Sequence, residues 1–129
     1  MICIKTFLIA LVAFEHFYFL ILEMFLWTKP KGIKTFGLKS KEFAEETKVL
    51  GANQGLYNGF LAVGLLWGLL AGKHGVKVYF LLCVLVAGIF GALTAKFSIL
   101  YIQALPALLA LIFVMLEKNS RSAEQRIYS

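Results

Sequence analysis

Three ionisable residues, Glu15, His16 and Glu23, lie within residues 6–27, a hydrophobic stretch long enough to cross a bilayer. A charge at the centre of a membrane helix costs roughly 2.5–3.5 kcal/mol on insertion scales. A helix that served only as an anchor would not carry three such groups. We therefore interpret them as a candidate proton relay, cation site or acid/base pair. The alternative is a satisfied polar network that only orients the helices.

Helical geometry allows these three side chains to face one neighbour. On a wheel of 100° per residue they fall within about 100° of arc, and His16 and Glu23 nearly eclipse each other. Glu15 and His16 lie near mid-bilayer, where a neutral acid can take up and release protons, whereas Glu23 lies one turn from the interfacial Trp27. His16 and Glu23 are about 10 Å apart along the axis, so we do not expect a direct hydrogen bond.

A second polar cluster lies within the hydrophobic stretch 51–72. Its members carry amide or phenol groups and span about 140° of the wheel: Asn53, Gln54, Tyr57 and Asn58. A separate stripe of glycines at spacing four would allow another helix to approach closely: Gly51, Gly55 and Gly59. We expect the polar face to meet the three ionisable residues of the first helix. For Gln54 and Asn58, hydrogen bonding that only joins helices is the alternative.

The remaining hydrophobic stretches carry little chemistry. Gln103 is a secondary site candidate, since it lies near Pro106, which cannot donate a backbone hydrogen bond and favours a kink. Cys3 and Cys83 have neither the spacing of metal ligands nor that of a disulfide framework, and we interpret both as packing residues. The sequence therefore predicts no cofactor and no metal site.

Composition defines the elements that must position these residues. The chain has 129 residues, of which 60% are hydrophobic and 16% charged, too apolar for an ordinary water-soluble domain. The apolar residues form four blocks of about spanning length: residues 6–27, 51–72, 78–95 and 98–116. We predict a single all-α domain over residues 1–129, a four-helix transmembrane bundle with both termini on the same side.

The connections are short except for one loop, residues 28–50. Within it, Ser40 can cap a helical run, residues 41–50, that enters the second span without a break. Residues 72–75 form a tight turn between the second and third spans. We expect the polar tail, residues 117–129, to fray beyond its start.

The net charge of +6 would favour nucleic acid in a soluble protein, but here the basic residues lie in loops and tails, next to lipid headgroups. We therefore predict membrane lipids as partners and no nucleic acid. Lys and Arg near the membrane number six on one side: Lys5, Lys73, Lys77, Lys118, Arg121 and Arg126. They number seven on the other: Lys29, Lys31, Lys34, Lys39, Lys41, Lys48 and Lys96. Six against seven leaves the membrane orientation open.

Several motifs resemble those of a family of small bacterial integral membrane proteins catalogued as domain of unknown function 1304. They are EH at residues 15–16, ILEMFLW at 21–27, FG at 36–37, NQGLYNGFLA at 53–62 and QALPA at 103–107. The resemblance runs from the first helix to Ala107, nearly the whole chain. It implies four spans in a bacterial cell membrane and adds no activity.

The sequence favours a multi-pass protein of the cell membrane that binds or moves a small cationic or lipophilic compound, coupled to protonation. In this hypothesis Glu15 carries the proton, His16 tunes or relays it, and Glu23 lies at the mouth of the site. The polar face of the second helix forms a neutral wall that recognises the ligand. An intramembrane enzyme with Glu15 and His16 as acid and base and Tyr57 as donor is one alternative. A structural partner subunit is another. Whether the chain is an enzyme, and whether it self-associates, stays open.

Overall fold

The computed structural model describes the backbone of residues 2–127 and the side chains of residues 4–117. Within that part of the chain the structure is helical and contains no strand. Its elements are α1 (Ile2–Phe25), α2 (Pro30–Phe36), α3 (Lys41–Leu70), α4 (His74–Thr94), a π-helical turn (Leu100–Ala104) and α5 (Leu105–Ile127). Cys3 and the tail cations Lys118, Arg121 and Arg126 lie outside the described side chains.

Among the described residues, three helical segments are long and apolar enough to cross a membrane: Ile4–Phe25, His74–Thr94 and Leu100–Glu117. They correspond to the first, third and fourth predicted spans. The second predicted span is the later part of α3, whose amide side chains make it more polar than the other three. The all-helical class is therefore confirmed, whereas a fourth crossing and a four-helix bundle stay predictions.

Helix α3 begins where its capping residue predicts. The Ser40 hydroxyl accepts a hydrogen bond from the Phe43 amide at 3.1 Å, and the helix then runs for 30 residues without interruption. It ends at Leu70, and the turn that follows contains Gly72, whose φ of 63° lies in the left-handed region that favours glycine. The Lys73 amide donates to the Gly68 carbonyl at 3.0 Å and closes the turn before α4. The predicted start after Ser40 is confirmed, and the helix ends two residues before the predicted end of the second span at residue 72.

The chain divides into two compact units, and the first comprises Met1–Val12 with Gly64–Ser129. Here α4 packs on the π-helical turn and α5. The approach is close because Gly88 has no side chain: a Cβ there would lie 2.9 Å from the Ala104 amide nitrogen. The Lys5 ammonium forms an ion pair with Glu117 in the same unit. Helix α5 continues to Ile127, farther than predicted, through a segment rich in strong helix formers.

The second unit is Ala13–Val63, which contains the later part of α1, all of α2 and the first part of α3. Helix α2 lies inside the segment predicted as a loop. It packs on the end of α1 through Gly32, where a Cβ would come within 2.0 Å of the Leu26 carbonyl oxygen. Its last residue, Phe36, contacts the Trp27 ring with centroids 5.0 Å apart. Seven of the eight predicted site residues lie in this unit.

Candidate functional site

The three ionisable residues of α1 occupy different surroundings within the second unit. His16 is fully buried, and its ring meets the Phe19 ring edge-on with centroids 5.8 Å apart. Glu15 is half-buried, and its Oε2 atom is buried without a hydrogen-bond partner among the described residues. Glu23 is 7% exposed. All three are therefore withdrawn from the surface to some degree, as expected of polar groups in a membrane helix.

One contact joins the two predicted polar clusters. The side-chain amide of Asn58 donates to Glu23 Oε2 at 2.6 Å. The same nitrogen lies 3.4 Å from the Gln54 carbonyl oxygen. The carboxyl group of α1 is thus held by the amide of α3, and the prediction that these two clusters meet is confirmed for this pair.

Glycine residues of α3 make that contact possible. A Cβ at Gly55 would lie 2.7 Å from Met24 Cγ and 3.0 Å from Glu23 Cβ. One turn away on each side, a Cβ at Gly51 would lie 2.5 Å from the Trp27 indole, and one at Gly59 would lie 2.6 Å from Leu20 Cδ1. The glycine stripe therefore packs on α1 and brings the two backbones close enough for Asn58 to reach Glu23.

The rest of the polar face of α3 does not turn toward α1. Asn53 and Gln54 are exposed, and Tyr57 is 53% exposed with its ring edge-on to Phe60, centroids 6.0 Å apart. The reason is angular: on the wheel, Asn58 lies about 60° from the centre of the glycine stripe, whereas Asn53 and Tyr57 lie about 160° from it. Of the four predicted wall residues, only Asn58 forms a hydrogen bond to an ionisable residue of α1.

A hydrogen-bond network outside the two polar clusters holds the end of α1 in place. The Trp27 indole donates to the Thr47 hydroxyl at 3.0 Å, and that hydroxyl donates to the Phe43 carbonyl at 2.7 Å. The sequence identifies Trp27 as an interfacial aromatic, but nothing in it marks Thr47. Beside this contact lies an open groove of about 320 Å³. Its lining is Met24, Phe25, Trp27, Thr28, Lys48, Val49 and Ala52.

Gln103, the secondary candidate, belongs to the first unit. Its side-chain amide lies 3.5 Å from the Val84 carbonyl oxygen of α4, at the edge of hydrogen-bonding distance. It stands in the π-helical turn, where the Leu105 amide donates to the Leu100 carbonyl just before Pro106. The backbone adjustment expected at Pro106 is therefore present as a widened turn, and Gln103 joins that turn to α4.

Among the residues that the structure describes, no group of three or more His, Cys, Asp or Glu side chains is arranged to hold a metal ion. The chemistry available in the second unit is that of two carboxyl groups, one imidazole and several neutral amides. Such a set can bind a cation or transfer protons.

Comparisons with known proteins agree with the resemblance of the motifs. Residues 10–115 match the model of a family described as "Protein of unknown function (DUF1304)". The chain is 30% identical over 105 residues to the uncharacterised protein YpaA of Lactococcus lactis subsp. lactis, a match that covers 79% of this chain and 88% of that one. No solved structure matches the chain. The chain therefore belongs to the DUF1304 family.

Proposed function

We propose that the chain is a multi-pass protein of the cell membrane in which α3 is a fourth crossing helix. Its 30 residues extend about 45 Å, enough to cross the bilayer and project beyond it. The amides that lower its hydropathy are expected of a helix that lines a site. An even number of crossings leaves both termini on the same side, and the four long helices then form a bundle.

The function that this geometry supports best is binding of a small cationic or lipophilic compound, with its movement coupled to protonation. The observation that carries the proposal is the hydrogen bond from Asn58 to Glu23. It holds a carboxyl group, 7% exposed, in a fixed orientation within a membrane helix, where an ionisable group is costly unless it is used. A cation or a proton can neutralise that group.

The α1 residues take distinct roles in this proposal. Glu15 carries the proton, because its buried Oε2 atom has no hydrogen-bond partner among the described residues. His16, one residue farther on and fully buried, tunes or relays that proton. Glu23 receives the cation near the end of the span, and Asn58 orients its carboxylate. Asn53, Gln54 and Tyr57 contribute where a ligand or a second copy of the chain covers the exposed face of α3.

Calorimetry with a lipophilic cation tests this proposal. Tetraphenylphosphonium is titrated into the purified protein in detergent, in buffers of different ionisation enthalpy, so that the protons released on binding are counted. We expect proton release that disappears in Glu15→Gln. The matched control is Glu45→Gln, which changes an exposed carboxylate outside the span, paired with Lys48, and should leave the release intact. Unchanged release in Glu15→Gln, or no binding by the parent protein, would contradict the proposal.

A structural partner subunit is the second candidate, because the bond between Asn58 and Glu23 also joins two helices. It predicts that Glu23→Gln changes stability and leaves cation binding unchanged. The intramembrane enzyme receives no support from the arrangement of its proposed groups: His16 is buried beside Phe19, whereas Tyr57 is exposed beside Phe60.

Self-association belongs to the same proposal. Asn53, Gln54 and Tyr57 expose amide and phenol groups on an otherwise apolar helix, where lipid offers no hydrogen-bond partners. An amide both donates and accepts, so identical faces of two copies can pair. Counting the chains in lipid nanodiscs for the parent and for Asn53→Leu/Gln54→Leu tests this point. Loss of the oligomer in the variant is expected, and a monomeric parent would overturn it.

A further inference from the structure

The connection between α1 and α3 carries a run of positive charge. From Met24 to Lys41 the chain contains no acidic residue, and its five lysines are all exposed. We call these residues the lysine surface: Lys29, Lys31, Lys34, Lys39 and Lys41. None of them forms an ion pair with another side chain that the structure describes. The acidic residues come only afterwards, in the first turns of α3, where Glu42, Glu45 and Glu46 are exposed as well.

This surface is built on folded structure. Helix α2 carries Lys31 and Lys34, and Gly32 packs it directly on the Leu26 carbonyl. The helix ends at Gly37, whose φ of 62° provides a left-handed cap. The contact between Phe36 and Trp27 fixes its far end. The positive charges are therefore presented in a defined arrangement and cost less ordering on binding than those of a disordered loop would.

Aromatic rings position two of the ammonium groups. Lys31 Nζ lies 5.4 Å from the centre of the Tyr18 ring on α1, and Lys39 Nζ lies 4.4 Å from that of Phe43 on α3. Both distances are in the range of a cation–π contact, which leaves the donors of the ammonium group available to an anion. The two contacts hold these lysine side chains beside α1 and α3.

The position of the surface along the chain identifies its partner. The crossing segment of α1 ends at Phe25, and Trp27, an aromatic of the type that marks membrane interfaces, follows two residues later. The lysine surface begins directly after it, at the level of the lipid headgroups. Clusters of four to eight basic residues beside a membrane helix attract anionic lipids.

We propose that the lysine surface binds the phosphate headgroups of anionic phospholipids on the membrane face where α1 emerges. Helix α2 then lies along the headgroups, with its lysines in contact with phosphate and Phe36 turned back onto Trp27. This inference is independent of the cation site at Glu23, and either can fail without the other.

Fluorescence quenching of Trp27 tests the proposal, because this residue contacts α2 directly. The protein carries Trp67→Phe, so that Trp27 is the only tryptophan, and is reconstituted in phosphatidylcholine. Part of the lipid is replaced by brominated phosphatidylglycerol or, in parallel, by brominated phosphatidylcholine. We expect phosphatidylglycerol to quench Trp27 at lower mole fraction. The preference should weaken in 0.5 M salt, since headgroup contacts are screened.

Two pairs of substitutions with the same change of net charge separate the lysine surface from a general effect of charge. In Lys31→Gln/Lys34→Gln the preference for phosphatidylglycerol should fall by about tenfold or more, since each lysine near the surface contributes about fivefold. The preference should stay within about twofold of the parent value in Lys73→Gln/Lys96→Gln, which removes two exposed lysines outside the lysine surface. It should also stay within about twofold in Lys31→Arg/Lys34→Arg, which keeps the positive charge. An equal fall in the Lys73 and Lys96 variant, or no lipid preference in the parent, would overturn the proposal. An unchanged Trp27 emission spectrum in unbrominated lipid verifies that each variant is folded.

Discussion

The hydrogen bond between Asn58 and Glu23 should be measurable as a coupling energy. Asn58→Leu removes the donor at similar side-chain volume and leaves a carboxyl group that is 7% exposed without that partner. Hydrogen bonds to charged groups contribute about 1.5–3 kcal/mol in soluble proteins, and those between membrane helices average about 0.6 and reach about 1.7 kcal/mol. Because Glu23 has so little access to solvent, we expect a loss of about 1.5–2 kcal/mol in the free energy of unfolding.

A double-mutant cycle isolates this contribution. Glu23→Met removes the acceptor, and combining it with Asn58→Leu should cost about 1–2 kcal/mol less than the sum of the single changes. When the cycle uses Glu23→Gln in place of Glu23→Met, an oxygen acceptor is kept, and about half of the coupling energy should remain. Unfolding by sodium dodecyl sulfate in mixed micelles, followed by tryptophan fluorescence, gives the free energies.

Asn53 provides the matched control, since it is the same residue type on the same helix but faces away from α1. Asn53→Leu, measured in the monomeric form in dilute micelles, should change the free energy of unfolding by less than about 0.5 kcal/mol. If Asn58→Leu and Glu23→Met proved additive within about 0.5 kcal/mol, the hydrogen bond would contribute nothing, and the reasoning from its geometry would be wrong.

Three further predictions follow from the packing and capping of α3. Gly55→Ala should destabilise the protein by about 1–3 kcal/mol, because the added Cβ would meet Glu23 Cβ and the Leu20 carbonyl. Gly59→Ala should cost less than about 1 kcal/mol in the same unfolding assay, because its Cβ would meet only the movable end of the Leu20 side chain. Ser40→Ala should cost about 1 kcal/mol and speed hydrogen exchange of the first-turn amides. The pKa of Glu42 is lowered below 4.5 by hydrogen bonds from the Glu42 backbone amide and from Ser40. The stabilising effect of the ionised carboxylate is therefore present above pH 4.5 and is lost as the pH falls through the lowered pKa. Carboxyl NMR should show this titration, and Ser40→Ala should raise the pKa toward 4.5.

The boundaries of the helices were predictable where local chemistry determines them. Ser40 caps α3 through its own hydroxyl, and the left-handed Gly72 forms the turn just after its last residue, so both signals are contained in a few neighbouring residues. Helix α2 was not predictable in this way. Its contacts, Gly32 on the Leu26 carbonyl and Phe36 on Trp27, depend on how the chain folds back on α1, which the composition of residues 28–50 does not reveal.

The candidate site, too, was predictable from the sequence only in part. The glycine stripe and the polar face of α3 were both visible in the sequence, and so was the angle between them. Since close packing requires small residues, the stripe determines which side of α3 turns to α1. This constraint selects Asn58, about 60° from the stripe, as the residue that can reach α1. It excludes Asn53 and Tyr57, which lie on the opposite side of the helix. By contrast, the network of Trp27, Thr47 and Phe43 required the tertiary structure.

The exposed half of the polar face distinguishes two uses of this protein. If α3 crosses the membrane as proposed, hydrogen bonds that only join α1 and α3 would require Asn58 alone. Asn53, Gln54 and Tyr57 would then expose polar groups to lipid at an energetic cost. In that arrangement we expect either a second copy of the chain or a ligand to cover these three side chains. If Asn53→Leu/Gln54→Leu abolished self-association and cation binding together, the copies would share one site. If only self-association were lost, the cation would be held by α1 and Asn58 within each chain, and the outer face would serve assembly alone.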